Sequence, residues 1–442
     1  MPANLFHGGI HPPEYKTLTA NSPIVNAELC GKVRIPMHRN PRFAANPIVN
    51  KGDHVLVGQL IADSELPNGL PVHSPISGNV TAIDYARDGS GTVVLTIEIT
   101  SDGLYETQDT YHPIRNDVSL KEFISIIKDG GISGMGGAEF PTFAKFVIPE
   151  NTKIDTLLIN GSECEPYLTS DYRTMVERAD EIIRGVEIIT KAASIPKCVI
   201  GIEDNKPDAI KVLKSKVENK PFIEVSELKA VYPQGSEKHL IKSTLSRVVP
   251  MRMLPINVGV IVLNVSTVAA IADLFDKGIP LFERVVTVSG GAIAEPKNIR
   301  AKIGTSVQEL IDMCGGFKED PAKIILGGPM MGVALSNTNV PITKGSSGIL
   351  ALTKDEAKIY KPLNCIRCGT CIANCPMQLE PATLHQLCEA NMLARAEEYH
   401  VVDCIECGVC SYVCPSRRNL VQSIKVAKYN IAKNRLRQIG RA

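Results

Sequence analysis

Eight of the thirteen cysteines fall into two copies of one spacing near the end of the chain. Each copy has the order C-x2-C-x2-C-x3-C and is followed directly by proline. Closely spaced thiolates can surround one face of a cubane, and a distant fourth thiolate closes the opposite face. The spacing therefore predicts ligands for two [4Fe–4S] clusters, with electron transfer as their chemistry: Cys365, Cys368, Cys371 and Cys375 in the first copy, and Cys404, Cys407, Cys410 and Cys414 in the second.

The fourth cysteine of each copy is the one whose partners are far away in sequence. In bacterial two-cluster ferredoxins it binds the cluster of the other copy. Applied here, Cys414 completes the first cluster and Cys375 completes the second. Zinc knuckles and disulfides are the alternatives, but zinc sites usually show two separated C-x2-C pairs and disulfides suit small secreted domains.

A glycine-rich stretch, GISGMGGAEFPTFAKF at residues 131–146, is the second candidate for chemistry. Gly134, Gly136 and Gly137 let the backbone approach a ligand, and Pro141 suits the start of a helix whose free N–H groups face the loop. This combination suits a phosphate or a flat ring system. The stretch follows a predicted helix and not a strand, so the dinucleotide fingerprint does not apply. A tight structural turn is the alternative.

An acidic loop follows the next predicted strand, which is the apolar segment at residues 155–161. The loop carries Glu163, Glu165 and Asp171. Ligands of α/β proteins bind at the carboxyl ends of strands, where such carboxylates can accept hydrogen bonds from hydroxyl or amide groups. A solvated turn is the alternative for these acids.

Composition limits the possible functions. The 442 residues carry 48 Lys and Arg against 47 Asp and Glu, which argues against nucleic acid as the main partner. The longest apolar run, residues 258–272, is too short and too polar for a spanning helix. The length predicts about three domains. Most remaining cysteines are expected to be buried apolar side chains in a reduced, cytosolic protein: Cys30, Cys164, Cys198, Cys314 and Cys388.

The first hundred residues alternate apolar and polar side chains between Gly-Asp and Ser-Gly turns, which predicts a small β-sandwich or barrel. Its detail resembles the barrel-sandwich hybrid fold of biotinyl and lipoyl carrier domains. The loop SELPNGLP lacks the carrier lysine, so a structural or docking module is expected. Metal binding by scattered histidines is the weaker alternative: His11, His54 and His73.

Helices and strands alternate after residue 117. Ser119 and Glu122 form an S-x-x-E capping box ahead of a helix that stops near Asp129. The apolar periodicity that follows predicts βαβ units with a mostly parallel sheet. The segment 258–275 predicts a strand that runs into a helix, with Asn264 at the junction.

Four motifs give a family resemblance: SGMGGAEFPTFAKF, NGSECEP, YPQGSE and LNVSTVAAI. They occur in the order of the flavin-binding motifs in the NADH-oxidising flavoprotein subunit of respiratory complex I. With the front module and the double cysteine run, the whole chain resembles the RnfC family, which belongs to the Rnf ion-translocating electron transport complexes. The resemblance covers essentially all 442 residues.

The resemblance implies an α/β multidomain fold with four parts. They are an N-terminal barrel-sandwich hybrid domain at 1–112, a Rossmann-like FMN- and NADH-binding α/β domain at 113–278, a β-grasp SLBB-type module at 279–350, and a C-terminal two-cluster ferredoxin-like α domain at 351–442. The β-grasp module is expected to space the flavin from the clusters.

The resemblance also implies cofactor contacts. Four residues would cradle the FMN phosphate and ring: Gly134, Gly136, Gly137 and Lys145. The other implied contacts hold the flavin or face the nicotinamide nucleotide: Phe140, Asn160, Glu163, Glu165, Tyr232, Gly235, Glu237 and Asn264. Four positions differ from the complex I motifs: Met135 stands where an arginine is usual, Ser162 and Ser236 replace acids, and Cys164 replaces a small or hydroxyl residue.

The implied function is electron input to a membrane complex, with NADH, FMN and two [4Fe–4S] clusters as carriers. The implied partners are NADH, ferredoxin and other subunits of the complex, including integral membrane subunits and an iron–sulfur subunit, and no nucleic acid. The chain would lie peripherally on the cytoplasmic face of the cell membrane. The alternatives are a soluble NADH-dependent adaptor to a dedicated reductase and a cluster-wiring scaffold without flavin.

The chain carries only basic charges after Glu406. On a helix they form a basic face, which is solvated or docks acidic ferredoxin, a partner subunit or a lipid surface. Its residues are Arg417, Arg418, Lys425, Lys428, Lys433, Arg435, Arg437 and Arg441.

Overall fold

A computed structural model describes residues 6–28, 30–37, 43–108, 112–115 and 117–439, without the side chains of 436–439. Its first strands form the two small antiparallel sheets that the alternation predicts, in the orders β2-β8-β7-β4 and β3-β5-β6. These sheets contain β2 (Lys32–Pro36), β3 (Asn46–Pro47), β4 (His54–Val55), β5 (Leu60–Asp63), β6 (Val72–His73), β7 (Gly78–Arg87) and β8 (Val93–Ser101), whereas β1 (Ile24–Asn26) belongs to a later sheet.

The next part is an α/β domain whose four strands are all parallel, in the order β11-β10-β9-β12. The prediction of a parallel sheet is confirmed, and its central strand is buried on both faces. The elements are α1 (Leu120–Asp129), β9 (Thr156–Gly161), α2 (Ser170–Glu177), α3 (Ala179–Ala192), β10 (Lys197–Glu203), α4 (Pro207–Val217), β11 (Ile223–Leu228), α5 (Glu237–Leu245), β12 (Val260–Asn264) and α6 (Val265–Lys277).

The capping box expected from the sequence is present, and the structure adds a second helix cap. The Ser119 hydroxyl accepts from the N–H of Glu122 (3.3 Å), and the Glu122 carboxylate accepts from the N–H of Ser119 (2.8 Å). At the end of β12, the side chain of Asn264 accepts from the N–H groups of Ser266 and Thr267 and so caps α6. Asn264 is therefore fixed at the strand-to-helix junction.

A mixed six-stranded sheet follows, in the order β1-β14-β13-β17-β15-β16. Its own elements are β13 (Glu283–Ser289), β14 (Lys297–Lys302), α7 (Val307–Asp312), β15 (Lys323–Leu326), β16 (Val333–Ala334) and β17 (Gly348–Leu352). Strand β1 comes from the first hundred residues and pairs in parallel with β14. The N-terminal segment thus ties this β-grasp module to the front of the chain.

The C-terminal part is helical: α8 (Thr370–Ala373), α9 (Pro381–Glu389), α10 (Leu393–Glu398), α11 (Val409–Tyr412) and α12 (Leu420–Ile439). Its small apolar core joins α9, α10 and α12 around Leu384, Ala396 and Ile424. In the part of the chain that the structure describes, none of the helices has the length and apolar character needed to cross a bilayer.

Candidate functional site

The cysteines line two separate cavities in the helical part. One cavity is lined by Cys365, Cys368, Cys371 and Cys414. The other is lined by Cys375, Cys404, Cys407 and Cys410. Each cavity therefore joins three thiols of one run with the fourth thiol of the other run, which is the crossed grouping that the sequence predicts.

Equivalent local turns build both cavities. Gly369 (φ 76°) and Gly408 (φ 80°) adopt left-handed conformations directly before the short helices α8 and α11. Each turn carries the chain from the second cysteine of a run into the helix that holds the third. A glycine suits this conformation because it has no side chain to strain.

The chemistry of the thiols fits iron–sulfur clusters. Burial raises the pKa of the Cys407 and Cys410 thiols to about 12, so they become thiolates only when a metal takes the place of the proton. Hydrogen bonds to sulfur already exist, from the N–H of Glu406 to Cys404 (3.3 Å) and from the N–H of Leu379 to Cys375 (3.4 Å).

The two cavities differ in exposure. Cys365 and Cys368 are exposed, whereas Cys375, Cys407 and Cys410 are buried. The second cavity lies against the α/β domain, because the buried Tyr232 hydroxyl donates to the carbonyl of Cys407 (2.8 Å). His239 of α5 also hydrogen bonds to the Pro376 carbonyl through Nε2 (3.0 Å).

The glycine-rich stretch forms a compact loop, residues 131–140, which we call the glycine loop. It is closed by a bond from the N–H of Gly134 to the carbonyl of Phe140 (2.8 Å). The N–H of Met135 donates to the Thr267 hydroxyl of α6 (2.9 Å). Gly136 is exposed, and a Cβ there would lie 3.6 Å from the Cβ of Asn264. The loop therefore covers the carboxyl end of β12.

Polar side chains surround the loop at this edge of the sheet. Asn160 and Asn264 are paired neighbours at the ends of β9 and β12. The Asn160 amide donates to the carbonyl of Gly235 (2.8 Å). Lys145 donates to the Glu237 carboxylate and to the carbonyl of Val262 (2.9 Å). The structure thus brings together Gly134, Gly136, Gly137, Lys145, Asn160, Gly235, Glu237 and Asn264.

The glycine loop has the properties of a flavin cradle. Gly137 is exposed with φ +107°, and a Cβ added to it would point into open space. Within the described part of the chain, the N–H groups of Gly136 and Gly137 donate to no acceptor. Free N–H groups beside the Lys145 ammonium and two amides suit a phosphate and a ring with carbonyl edges. These residues fit FMN.

Four predicted contacts have other partners in the structure. The Glu163 carboxylate accepts from the N–H groups of Asp171 (2.7 Å) and Tyr172 (3.1 Å) at the start of α2, and burial raises its pKa. The Tyr232 hydroxyl is directed to the backbone of Cys407. Phe140 is exposed and makes an edge contact with Phe43.

Glu165, the fourth of these residues, is turned away from the glycine loop. Its carboxylate accepts from the N–H groups of Met330 (3.0 Å) and Met331 (2.8 Å), and burial raises its pKa to about 7. It therefore fixes the turn between β15 and β16, whose Met330 carbonyl lies 3.1 Å from where a Cβ on Gly408 would be.

Sequence reasoning named Asp171 as an acid of the loop without a specific partner, and it missed Lys16. Asp171 accepts from Asn264 Nδ2 and from Ser266 Oγ (both 2.6 Å), so it orients the amide that caps α6. The buried Lys16 donates to the carbonyls of Glu163 and Glu165 (both 2.9 Å) and so fixes the acidic loop. Neither contact has a local signal, because the partners are far apart in sequence.

The remaining predicted features lie apart from the site. His54 contacts Asp102, and His11 contacts the carbonyl of Ala230. His73 is half-buried, and its Nδ1 atom has no hydrogen-bond partner among the described residues. Of the other cysteines, Cys30, Cys198 and Cys314 are buried, while Cys164 and Cys388 are half-buried. On the basic face, Lys428 pairs with Glu406 and Arg435 with Glu397, whereas the Arg437 side chain and Arg441 lie outside the described residues.

Family models match four consecutive parts of the chain. They are described as an RnfC barrel sandwich hybrid domain (4–104), a Nuo51 FMN-binding domain (127–273), an SLBB domain (285–334) and a 4Fe-4S dicluster domain (357–415). The multidomain α/β fold inferred from the sequence is confirmed, and the chain carries a flavin-binding domain and a two-cluster iron–sulfur domain.

Curated relatives match along nearly the whole chain. The RnfC-type component of the proton-translocating ferredoxin:NAD(+) oxidoreductase complex of Clostridium ljungdahlii is 48% identical over 96% of this chain and 93% of its own length. The corresponding component of the Na(+)-translocating complex of Acetobacterium woodii is 43% identical over 97% and 98%. That of the ion-translocating oxidoreductase complex of Rhodobacter capsulatus is 41% identical over 99% and 86%.

A solved structure shares the fold at low identity. A chain of an NAD+-reducing [NiFe]-hydrogenase aligns with a TM-score of 0.50 and 17% identity, over 70% of this chain and 61% of that one. The full-length relatives and the matching domain order establish the family. The chain belongs to the RnfC family, whose members are subunits of ion-translocating ferredoxin:NAD+ oxidoreductase complexes.

Proposed function

We propose that the chain exchanges electrons between NADH and the two cysteine-lined cavities by way of the glycine loop. When bound, FMN exchanges a hydride with a nicotinamide and single electrons with iron–sulfur clusters, so it converts between the two kinds of carrier. The residues of this chain supply binding and orientation. The free N–H groups of Gly136 and Gly137 and the ammonium of Lys145 hold the FMN phosphate and ring edge. Asn160 and Asn264 fix the flavin at the end of the parallel sheet.

One observation carries this proposal. The loop at 232–237 connects the expected flavin position, beside the glycine loop, with the second cysteine cavity. At one end, the Gly235 carbonyl accepts from Asn160 and Glu237 pairs with Lys145. At the other end, the buried Tyr232 donates to the backbone of Cys407. The cavity of Cys375 is therefore the one that this loop connects with the expected flavin position.

The role of Glu237 gives the test. Its carboxylate pairs with Lys145 and is partly exposed, so it can also accept a hydrogen bond from a nucleotide. We expect Glu237→Gln to lower kcat/KM with NADH roughly ten- to a hundredfold, since a hydrogen bond to a charged acceptor contributes ~1.5–3 kcal/mol. The measurement follows the bleaching of flavin and cluster absorbance by NADH. FMN content and reduction of the clusters by dithionite should hold.

A matched control is Glu227→Gln, which removes the carboxylate of a similar half-exposed pair with Lys214 on another face of the domain. It should leave NADH kinetics within ~0.5 kcal/mol of the parent. Equal kinetics in both variants would sink the assignment of Glu237. A purified chain that holds no flavin would favour the cluster-wiring scaffold instead.

We further propose that the exposed cavity meets an acidic iron–sulfur partner, either ferredoxin or an iron–sulfur subunit of the same complex, on the cytoplasmic face of the membrane. Support comes from the side chains around Cys365 and Cys368, which we call the exit surface. Its apolar members are highly exposed, with Ile359 at 90% and Ile366 at 68%. Exposed basic side chains accompany them, most of them close by along the chain. The members are Ile359, Leu363, Ile366, Ile372, Lys358, Lys361, Arg367 and Arg417.

Charge reversal tests the exit surface. The variant with Lys361→Glu and Arg367→Glu should exchange electrons with a reduced two-cluster ferredoxin at least about tenfold more slowly at low salt, because steering depends on complementary charge. The rates are measured by stopped flow, and added salt should narrow the difference. The control with Lys211→Glu and Lys318→Glu changes the net charge equally at other exposed positions. Equal rates in the two double variants would place the contact elsewhere.

A further inference from the structure

The β-grasp module contacts the glycine loop through one short turn. This turn, residues 343–346, lies directly before β17. The N–H of Thr343 donates to the Ser346 hydroxyl (2.9 Å), and the N–H of Ser346 donates to the carbonyl of Thr343 (3.1 Å). The turn is thus closed by its own hydrogen bonds.

Both ends of the glycine loop are bonded to this turn. At one end, the Lys344 ammonium donates to the carbonyl of Gly131 (2.7 Å). At the other end, the buried Glu139 carboxylate accepts from the N–H of Gly345 (2.8 Å) and from the Thr343 hydroxyl. A carboxylate that accepts from two fixed donors has little freedom, so the two ends of the loop are held at a set separation.

The turn also contacts the middle of the loop. A Cβ added to Gly345 would lie 2.6 Å from Cγ of Glu139 and 2.9 Å from the carbonyl oxygen of Gly137. The backbone of Gly345 therefore contacts the loop directly behind the residue whose open side faces the flavin position. Any larger side chain there must displace Glu139 or the Gly137 peptide.

A buried cation lies behind the same loop. Arg284 of β13 is 3% exposed, and its guanidinium donates to the carbonyls of Met135 (3.1 Å) and Lys344. Among the described side chains it has no carboxylate within ion-pair distance. Burial lowers its pKa to about 10, so it stays charged at neutral pH. The carboxylates of Asp171, Glu139 and Glu163 lie near enough to favour its charged form, so they offset part of the cost of burying it.

We infer that the turn 343–346 and Arg284 are positioning residues of the flavin site. The β-grasp module does more than separate the flavin from the clusters, because it fixes the shape of the glycine loop and places a positive charge behind it. FMN affinity then depends on a module outside the flavin-binding domain. This inference rests on the proposed function and deepens it.

Gly345→Ala tests the shape of the loop. Full-length protein with both clusters is freed of flavin and titrated with FMN, and binding is followed by the quenching of flavin fluorescence. We expect Gly345→Ala to raise the Kd for FMN at least about tenfold and to change the visible circular dichroism of the bound flavin.

Gly291→Ala is the matched control. A Cβ at Gly291 would meet the Glu356 carboxylate at 2.4 Å, so a glycine of the same module acquires a similar clash with a glutamate, away from the glycine loop. It should lower the melting temperature by a similar amount and leave the FMN Kd unchanged. Equal Kd values for the two variants would overturn the inferred role of the β-grasp module and leave the proposed function standing. A parent protein that takes up no FMN would overturn the proposed function as well.

Two substitutions test whether the charge of Arg284 affects the bound flavin. Arg284→Met should lower the midpoint potential of bound FMN, because the reduced flavin is more negative and loses a nearby cation. Arg284→Lys keeps the charge and should restore the potential, even if it restores the loop contacts only in part. The same potential in both variants would show that Arg284 acts by its shape and not by its charge, and would overturn this part.

Discussion

Cys375→Ser is expected to remove one [4Fe–4S] cluster and to leave the other in place. Its thiol lines the cavity of Cys404, Cys407 and Cys410, although it belongs to the other run. Iron per chain should fall from about eight to about four, because each cluster needs all four thiolates. Iron and sulfide analysis after anaerobic purification measures the loss, and EPR of the reduced protein identifies the lost cluster.

Two further cysteine substitutions test which thiols bind which cluster. Cys414→Ser should remove the opposite EPR signal, since Cys414 lines the exposed cavity. Cys388→Ser is the control, because Cys388 lies in the same helical part and packs against its apolar core without lining either cavity. It should keep both clusters. Loss of the exposed cluster in Cys375→Ser would show that each run binds its own cluster.

The features predictable from sequence were those with local causes. The cysteine spacing groups three thiols of each run, because a fixed spacing and a left-handed glycine shape each run. The crossed fourth ligand comes from the pattern of two-cluster ferredoxins and stays a prediction. The capping box at Ser119 and the cap at Asn264 each involve neighbouring residues. The parallel sheet followed from the alternation of apolar strands and helices.

The features that sequence could not supply depend on long-range packing. Nothing near Lys16 indicates that its ammonium binds the carbonyls of the acidic loop. The same holds for Glu165, which belongs to the motif NGSECEP but accepts a hydrogen bond from the N–H of Met330. The resemblance implies that Glu165 contacts the nucleotide, whereas in the fold it binds the turn of Met330, which packs against Gly408 of the second cysteine run.

The contact between the β-grasp module and the glycine loop has the same origin. Glu139 and Gly345 are far apart along the chain, and no sequence motif around either residue predicts their contact. Only the folded chain shows that the module expected to act as a spacer bonds to both ends of the loop. The consequence is that flavin binding and module packing are coupled, and glycine substitutions can separate the two.

Gly137→Val is expected to release FMN while both clusters remain. Gly137 has φ +107°, which a β-branched residue adopts only with strain of ~1–3 kcal/mol. Its missing side chain also points into open space, which is the side where the flavin would lie. Valine there both strains the loop and fills the cradle. FMN affinity should fall at least about a hundredfold, equivalent to ~2.7 kcal/mol.

Gly52→Val separates the effect of backbone strain from the effect of a side chain that fills the cradle. Gly52 has φ +98° and likewise has open space where a Cβ would be, but it lies in the N-terminal β-structure before β4. Strain alone therefore predicts a similar loss of thermal stability in both variants. Occupation of the cradle predicts FMN loss in Gly137→Val only, with iron content unchanged because the cysteine cavities fold around their own metal. Stoichiometric FMN retained in Gly137→Val would move the flavin site away from the glycine loop.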